Sequence, residues 1–300
     1  MCGFLVSNDP RISKKDEQKI HSRLSFRGPD HQSGLINFKG WNLYHSRLSI
    51  IAPVDRYSQP FFTKSGNVLI FNGEILNYLD LIAKYNIPKT NSDTEALAEL
   101  LEKNDFNLNE IEGFFAFILL SEDGKLLRCA RDRFGVKPLY YYKRKGKITI
   151  TSEASIISDL FKIPYDCQAL EEYSVFRAPI FSSSYFQGVE IVEPGTCLIT
   201  GTFFESLKYI PEQYDSEDVI TKQLPDVLNK SINSRMVSDV PVGLLFSGGI
   251  DSNLIKNHSK DKKFTLLSGG FKGDYDIEYA RNYAEKKDNQ DIILVEPSNE

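Results

Sequence analysis

The chain has 300 residues, 41% of them hydrophobic, which is enough to build one large globular domain or two ordinary ones. Its formal net charge of -5 leaves no basic surplus for neutralising phosphates, so small substrates are favoured over nucleic acid as partners. The 4 cysteines and 4 histidines form neither a CxxC pair nor a zinc pattern, which argues against a disulfide framework and a metal knuckle.

The N-terminal segment contains one short apolar run, "GFLV", followed by charged and polar residues. This pattern is typical of neither a signal peptide nor a membrane span, so we expect a cytoplasmic protein with no membrane partner. Cys2 precedes the run and has two interpretations. It is a small residue before a strand, or, after removal of Met1, a nucleophile whose own amine (pKa near ~8) acts as its base.

Up to about residue 205 the chain is rich in predicted strands, such as "GNVLIFNGEI", "GFFAFILL", "KITITSE" and "GTCLIT", separated by turn signals. Two helical patterns interrupt them, "KKDEQKIHSRLS" and "SDTEALAELLEKN". In the second, Asp93 or Ser92 can cap the helix, and an apolar stripe follows, formed by Ala96, Leu97, Leu100 and Leu101. We expect these helices to cover sheets.

Beyond about residue 210 the pattern changes. A helix to about Met236 is followed by the strand "VPVGLLFSGG", the helix "DSNLIKNHSK", the strand "KFTLLSGGF", the helix "DIEYARNYAEKK" and the strand "DIILVEP". This β-α-β-α-β order predicts a parallel, doubly wound sheet. The sequence stops just after the third strand, so we expect this domain to be incomplete.

The string "LLFSGGIDSN" places two glycines where a predicted strand turns into a helix. Such a turn aims backbone N–H groups at an anion, and the helix N-terminus favours negative charge. Ser247 and Ser252 can add hydroxyl donors, and Asp251 can hold a Mg²⁺ that bridges phosphate oxygens. The Walker pattern is absent, and the alternative is that Asp251 only caps the helix. The string resembles the pyrophosphate-binding loop of the ATP pyrophosphatases.

Four strings in the first half, "MCGF", "HSRLSI", "FNGEI" and "SDTEA", together contain what a glutamine-hydrolysing site needs. Cys2 would attack the side-chain amide of glutamine. The amide of Asn72 and the backbone N–H of Gly73 could stabilise the oxyanion. Arg47 offers a fork for the α-carboxylate of glutamine.

The α-ammonium of glutamine calls for carboxylates, and Glu74 and Asp93 offer them. Each string also has a structural interpretation. Arg47 could be a surface residue, "NGE" is a common turn, and Asp93 could be only an N-cap. Their occurrence together, in this order after Cys2, favours the glutaminase interpretation.

With these strings the chain resembles the glutamine-dependent asparagine synthetases, a family of class II amidotransferases. The resemblance covers nearly the whole chain and includes "RGPD", "GFFAF", "ARDRFGVKPLYYY", "SEASII", "EPGT" and "SDVPVGLLFSGGIDS". It implies an α+β N-terminal nucleophile glutaminase over residues 2–209, with four αββα layers built around two stacked antiparallel sheets. It also implies a partial α/β parallel-sheet synthetase domain over residues 210–300, which activates aspartate with ATP and Mg²⁺ and needs no prosthetic group.

Carried over residue by residue, the resemblance makes Cys2 the nucleophile and Asn72 with Gly73 the oxyanion hole. It assigns glutamine binding to Arg47, Leu48, Ser49, Ile50, Ile51, Glu74 and Asp93. It assigns the ATP end to Leu245, Ser247, Gly248, Gly249, Asp251 and Ser252, with Asp251 as the candidate Mg²⁺ ligand. The family passes ammonia internally from the first site to the second. The family's later Gly-Glu-Gly-Ser-Asp-Glu string has no counterpart before residue 300.

Three functions stay open at this point. The first is asparagine synthesis, with glutamine hydrolysis as the activity expected of this chain by itself. The second is transfer of ammonia to another carboxylate, such as a sugar acid. The third is glutaminase activity or ligand binding alone. The oligomeric state is open as well, with a homodimer as one option.

Overall fold

The computed structural model describes residues 2–202, 204, 216–259, 265–271, 273–286 and 292–295. The chain divides into two compact units, Met1–Lys208 and Tyr209–Glu300, called here the first and the second unit. None of the helices in the described ranges combines the length and the apolar character needed to cross a membrane.

The first unit is built mainly of antiparallel strands. Its helices are α1 (Glu17–Leu24), α2 (Tyr78–Lys84), α3 (Asp93–Leu101), α4 (Ala154–Phe161) and α5 (Cys167–Phe176). Its strands are β1 (Gly3–Ser7), β2 (His31–Gln32), β3 (Ile36–Phe38), β4 (Trp41–Arg47), β5 (Phe61–Phe62), β6 (Val68–Ile75), β7 (Gly113–Leu120), β8 (Leu126–Arg131), β9 (Tyr140–Arg144), β10 (Lys147–Thr151), β11 (Glu190–Ile191), β12 (Thr196–Cys197) and β13 (Gly201–Thr202).

Strand β1 occupies the middle of the first sheet, whose order is β11-β9-β10-β1-β4-β2, with β3 also paired to β4. Leu5 lies opposite Tyr44 of β4 and Thr151 of β10. All five residues of β1 are buried, as expected for a strand covered on both faces. This central place brings Cys2, just before β1, close to the end of β4.

The second sheet has the order β13-β12-β8-β7-β6-β5. Strands β6 and β7 are its longest described pair, and their antiparallel register places Asn72 opposite Ala116 and Gly73 opposite Phe115. The "FNGEI" string is therefore the C-terminal part of strand β6. The alternative interpretation, in which "NGE" is only a turn, is wrong.

The two sheets pack face to face through an apolar cluster. Phe4, Val6 and Leu43 of the first sheet meet Ile70 and Ile118 of the second. Since side chains alternate along a strand, Leu5 faces the other way and packs with α1 and α4. The predicted stripe of α3 is buried, and α3 contacts β6. The two predicted helices, α1 and α3, therefore each contact a strand of a sheet.

The second unit contains the predicted parallel sheet, of order β14-β15-β16. Its described elements are α6 (Glu217–Ser234), β14 (Gly243–Leu245), α7 (Ile250–His258), β15 (Thr265–Gly269), α8 (Tyr275–Lys286) and β16 (Ile292–Val295). Phe246, Leu266 and Ala280 form its buried apolar cluster. The predicted β-α-β-α-β order is confirmed, and α6 corresponds to the helix predicted up to about Met236.

Candidate active site

Cys2 lies buried at the N-terminal end of β1, with 8% of its surface exposed. Its Sγ accepts a hydrogen bond from the Leu48 N–H at 3.4 Å and lies 3.8 Å from the Leu48 carbonyl oxygen. Burial raises the pKa of the thiol, and this is opposed by the Leu48 N–H and by the charges of Lys137 and Arg47. Burial outweighs these opposing effects, so the thiolate is disfavoured on balance and Cys2 needs a base to remove its proton.

Asn72 is fully buried in β6, and its side-chain Oδ1 and Nδ2 have no hydrogen-bond partner among the described residues. A buried amide without partners costs free energy, so the Asn72 amide is available to bond a water molecule or a ligand in this site. Gly73 follows, and a Cβ at that position would lie 2.1 Å from the Phe114 carbonyl oxygen. The close pairing of β6 with β7 thus requires glycine at position 73.

Arg47 ends β4, and the residue is 5% exposed. Its Nη1 donates to the Val54 carbonyl at 2.8 Å, and its Nη2 donates to the carbonyls of Ala52 at 2.7 Å and Ile51 at 3.3 Å. One side chain therefore fixes the loop that follows β4. The predicted alternative of a surface arginine is wrong, because this side chain is buried.

Asp93 begins α3, but it is Ser92 that caps the helix, by accepting from the Glu95 N–H at 3.3 Å. Asp93 Oδ2 accepts from the Ile75 N–H at 3.2 Å. The pKa of Asp93 is raised to about 7, mainly by burial and to a smaller extent by the charge of Glu74. Hydrogen bonds from backbone N–H groups oppose this shift. Because Ser92 serves as the cap, the Asp93 carboxyl is not needed for capping. Asp93 instead lines a cavity together with Cys2 and Arg47.

These residues meet in one cavity of about 30 Å³. Its lining includes every predicted residue of the glutaminase site except Ser49: Cys2, Arg47, Leu48, Ile50, Ile51, Asn72, Gly73, Glu74 and Asp93. The Ser49 N–H instead donates to Asp30 Oδ2 at 2.7 Å. Four lining residues were not predicted from the sequence: Gln59, Phe71, Thr94 and Lys137.

The unpredicted residues include a second cation. Lys137 is 7% exposed, and it belongs to the "ARDRFGVKPLYYY" string, for which sequence reasoning found no role in the site. Gln59 Oε1 accepts from the Phe71 N–H at 2.6 Å, directly before Asn72. A lysine near a family motif and a "QP" pair are weak signals, since neither by itself indicates a ligand.

In the second unit, the "SGGIDS" loop joins β14 to α7. Gly248 has a φ of 76°, and a Cβ at that position would lie 2.3 Å from the Tyr279 ring. Gly249 is the N-cap of α7, and its N–H donates to Ser247 Oγ at 3.3 Å. Ser247 Oγ and Ser252 Oγ lie 3.5 Å apart. The predicted hydroxyls and glycines thus come together at a helix N-terminus.

Asp251 lies in the first turn of α7 and is exposed. Within the described residues no group of three or more histidine, cysteine, aspartate or glutamate side chains could hold a metal ion. Mg²⁺ needs only one or two carboxylates when phosphate oxygens complete its shell, so a lone Asp251 fits an ion that arrives with a nucleotide. Leu245, which the sequence predicts at the ATP site, is 80% exposed and is therefore accessible to a ligand.

Asn253, near the start of α7, is a further residue that was not predicted and that contacts the loop. Its Nδ2 donates to the carbonyls of Gly248 at 2.8 Å and Gly249 at 3.0 Å, and its Oδ1 accepts from the Tyr279 hydroxyl at 3.2 Å. These bonds fix the glycine backbone, which is the element expected to meet an anion.

Comparison with protein-family models gives two matches. Residues 1–209 match the model described as a glutamine amidotransferase domain. Residues 223–297 match the model described as asparagine synthase.

Three curated proteins similar to the chain carry related names. The glutamine-hydrolysing asparagine synthetase 1 of Bacillus subtilis (strain 168) is 33% identical over 87% of the chain and 44% of its own length. A putative asparagine synthetase 2 of Methanocaldococcus jannaschii is 29% identical over 92% of the chain and 61% of its length. The asparagine synthetase of Zea mays is 30% identical over 95% of the chain and 48% of its length. The chain therefore spans about half the length of these relatives.

Proposed function

The chain belongs to the glutamine amidotransferase domain family, and from that premise we propose that its first unit hydrolyses glutamine to glutamate and ammonia. One observation carries the proposal. A single cavity brings the Cys2 thiol together with a buried arginine, two carboxylates and an asparagine whose amide has no partner among the described residues.

In the proposed reaction, Cys2 Sγ attacks the side-chain amide carbon of glutamine, and a tetrahedral oxyanion forms. Asn72 Nδ2 and the Gly73 N–H stabilise that oxyanion. No histidine is found among the described residues that line the cavity, so we assign the base to the amine of Cys2, freed by removal of Met1. The amine returns its proton to the leaving ammonia, and water then hydrolyses the thioester to glutamate.

The substrate's two charged ends have matching partners in the cavity. Donors of the Arg47 guanidinium would bind the α-carboxylate, while Glu74 and Asp93 would bind the α-ammonium. A volume of about 30 Å³ holds one or two water molecules but not glutamine. Entry of glutamine therefore requires the cavity to widen, and the loop that follows β4, which Arg47 fixes, forms part of its wall.

Glutamate release from glutamine tests this proposal. The chain is expected to release glutamate, and Cys2→Ala is expected to abolish the release. Cys167→Ala is the matched control, because Cys167 is an exposed free cysteine in the same unit. Full activity of Cys2→Ala would overturn the assignment of the nucleophile.

For the second unit we propose nucleotide binding at the "SGGIDS" loop. Ser247, Gly248, Gly249 and Ser252 would receive the pyrophosphate end of ATP. Asp251 would hold Mg²⁺, which would supply positive charge to neutralise the phosphates, and Leu245 would lie near the adenylate. In the complete reaction, ammonia would attack an aspartyl adenylate to give asparagine. The match of residues 223–297 to the asparagine synthase model supports this proposal.

Isothermal titration with ATP and Mg²⁺ tests the nucleotide site. We expect the unmodified chain to bind ATP and the Ser247→Ala, Ser252→Ala double variant to bind it more weakly. No heat of binding with the unmodified chain would overturn the proposal. Pyrophosphate release with aspartate, compared with sugar carboxylates and other small acids, would identify the acceptor. Release with another acid but not with aspartate would favour the alternative acceptor over asparagine synthesis.

We assign residues 2–209 to the glutaminase domain, in a four-layer αββα arrangement, and residues 210–300 to the synthetase domain. The stacking of the two sheets and the helices packed on their outer faces support the first assignment. A cytoplasmic location stays a prediction from the sequence, and so does a homodimer as one option.

A further inference from the structure

Lys137 is held in the wall of the glutamine cavity by a rigid turn. The Asp132 carboxylate accepts from the N–H groups of Lys137 at 2.9 Å, Val136 at 2.9 Å and Phe134 at 3.1 Å. The buried Arg131 guanidinium donates to the Lys137 carbonyl at 2.9 Å. The backbone from which the lysine side chain extends is therefore fixed by a buried aspartate and a buried arginine.

The Lys137 ammonium faces a carboxylate. Its Nζ lies 3.9 Å from Glu74 Oε1, and the two side chains are only 9% and 18% exposed. This distance is too long for a direct hydrogen bond, and no hydrogen bond from Nζ is found within the described part of the chain. Nζ also lies 5.8 Å from the centre of the Phe114 ring. A buried ammonium beside a ligand cavity is thus paired through charge with one carboxylate.

Glu74 needs such a partner because a second carboxyl, Asp93, lines the same cavity. Two carboxylates in a small, poorly hydrated space repel each other. The Arg47 guanidinium, the other cation of the cavity, already donates to three loop carbonyls. Lys137, on the turn after β8, is the cation whose Nζ lies 3.9 Å from Glu74 Oε1.

We propose that Lys137 is a positioning residue, which holds Glu74 in place to receive the α-ammonium of glutamine. This inference rests on the proposed glutaminase function and deepens it, because it makes recognition of the amino end depend on a lysine outside the four motifs. The lowering effect of the Lys137 charge on the Cys2 thiol pKa agrees with its place in the cavity. A lysine that only stabilises the fold would affect all ligands alike.

A comparison of two ligands separates these roles. Glutamine and glutaramate share the carboxylate and the side-chain amide, but glutaramate lacks the α-amino group. Both are titrated calorimetrically into the Cys2→Ala chain, which cannot turn them over. Lys137→Met is expected to weaken glutamine binding about tenfold, as for loss of a charge-assisted contact, and to leave glutaramate binding unchanged. Lys137→Arg, which keeps the charge, is expected to restore most of the glutamine affinity.

Two further variants control for folding and for charge. Lys125→Met removes an exposed lysine that pairs with Asp123, and it is expected to change neither titration. In the Glu74→Gln background, Lys137→Met is expected to cause no further loss. Equal losses for both ligands, or unchanged or tighter glutamine binding by Lys137→Met, would overturn the inference. If the Cys2→Ala chain with Lys137 intact bound no glutamine, the proposed glutaminase function would itself be overturned.

Discussion

If Asp93 binds the α-ammonium of glutamine as proposed, glutamine binding is expected to depend on pH. Its pKa, raised by burial to about 7, means that the carboxyl is largely protonated at pH 6 in the empty site and largely ionised at pH 8. Only the ionised form can pair with the α-ammonium, so affinity is expected to fall as the pH falls through 7. The ionised fraction changes about tenfold between pH 8 and pH 6, and so should the dissociation constant.

The same raised pKa has a consequence for folding with the opposite pH dependence. Between the ordinary aspartate pKa of 3.8, which applies to the unfolded chain, and about 7, the folded chain holds a proton that the unfolded chain has lost. The resulting stabilisation is complete below pH 3.8 and is lost as the pH rises through 7. The difference corresponds to about 4 kcal/mol. Asp93→Asn is therefore expected to raise the free energy of unfolding at pH 8 by up to that amount, while it weakens glutamine binding.

Calorimetry of glutamine binding to the Cys2→Ala chain measures the first effect without interference from the thiol. Titrations at pH 6 in buffers of different ionisation enthalpy should show release of about one proton per glutamine bound. Asp93→Asn should bind weakly at both pH values and release none. If the Cys2→Ala chain, with Asp93 intact, bound glutamine equally tightly at pH 6 and at pH 8, the reasoning would be refuted.

Two further predictions concern the oxyanion hole. Asn72→Ala is expected to lower kcat for glutamine hydrolysis about 10²- to 10³-fold, which steady-state kinetics measure. Its melting temperature is expected to stay unchanged, because the Asn72 amide has no hydrogen-bond partner among the described residues that the substitution would leave unpaired. A large drop in melting temperature would point to a structural role instead. Gly73→Ala is expected to disrupt the β6–β7 pairing, since the new Cβ would lie 2.1 Å from the Phe114 oxygen. A Gly73→Ala chain with unchanged melting and activity would contradict that geometry, and Gly146→Asn, at a left-handed turn with open space around it, is the matched control.

Most residues that line the cavity of the proposed glutaminase site could be singled out from the sequence because they fall in short strings. Cys2, Arg47 and Asn72 could be singled out by residue type, but their contact depends on sheet pairing. It requires that β1 lie beside β4 in one sheet and that β6 face them from the other. Strand patterns predict strands and their buried faces, while the pairing of distant strands depends on packing.

The features missed by sequence reasoning have different physical causes. Lys137 acts from a turn more than 60 residues beyond Glu74 in the chain, so no local spacing connects them. Helices α2, α4 and α5 were missed as well. Helix α2 has only seven residues, too few to show a clear period. Several large apolar side chains of α5 are exposed, among them Val175 and Phe176, so α5 lacks a one-sided apolar stripe.

Trapping the covalent intermediate tests the central claim most directly. The chain is mixed with glutamine, quenched in acid within the first turnover, digested and examined by mass spectrometry. A glutamyl group on the peptide that contains Cys2 is expected, with an unblocked amine on Cys2 and no such group in Cys2→Ala. Glutamate formed at the full rate with no glutamyl group on Cys2, or with the group on Cys167 instead, would contradict the assignment of Cys2 as the nucleophile.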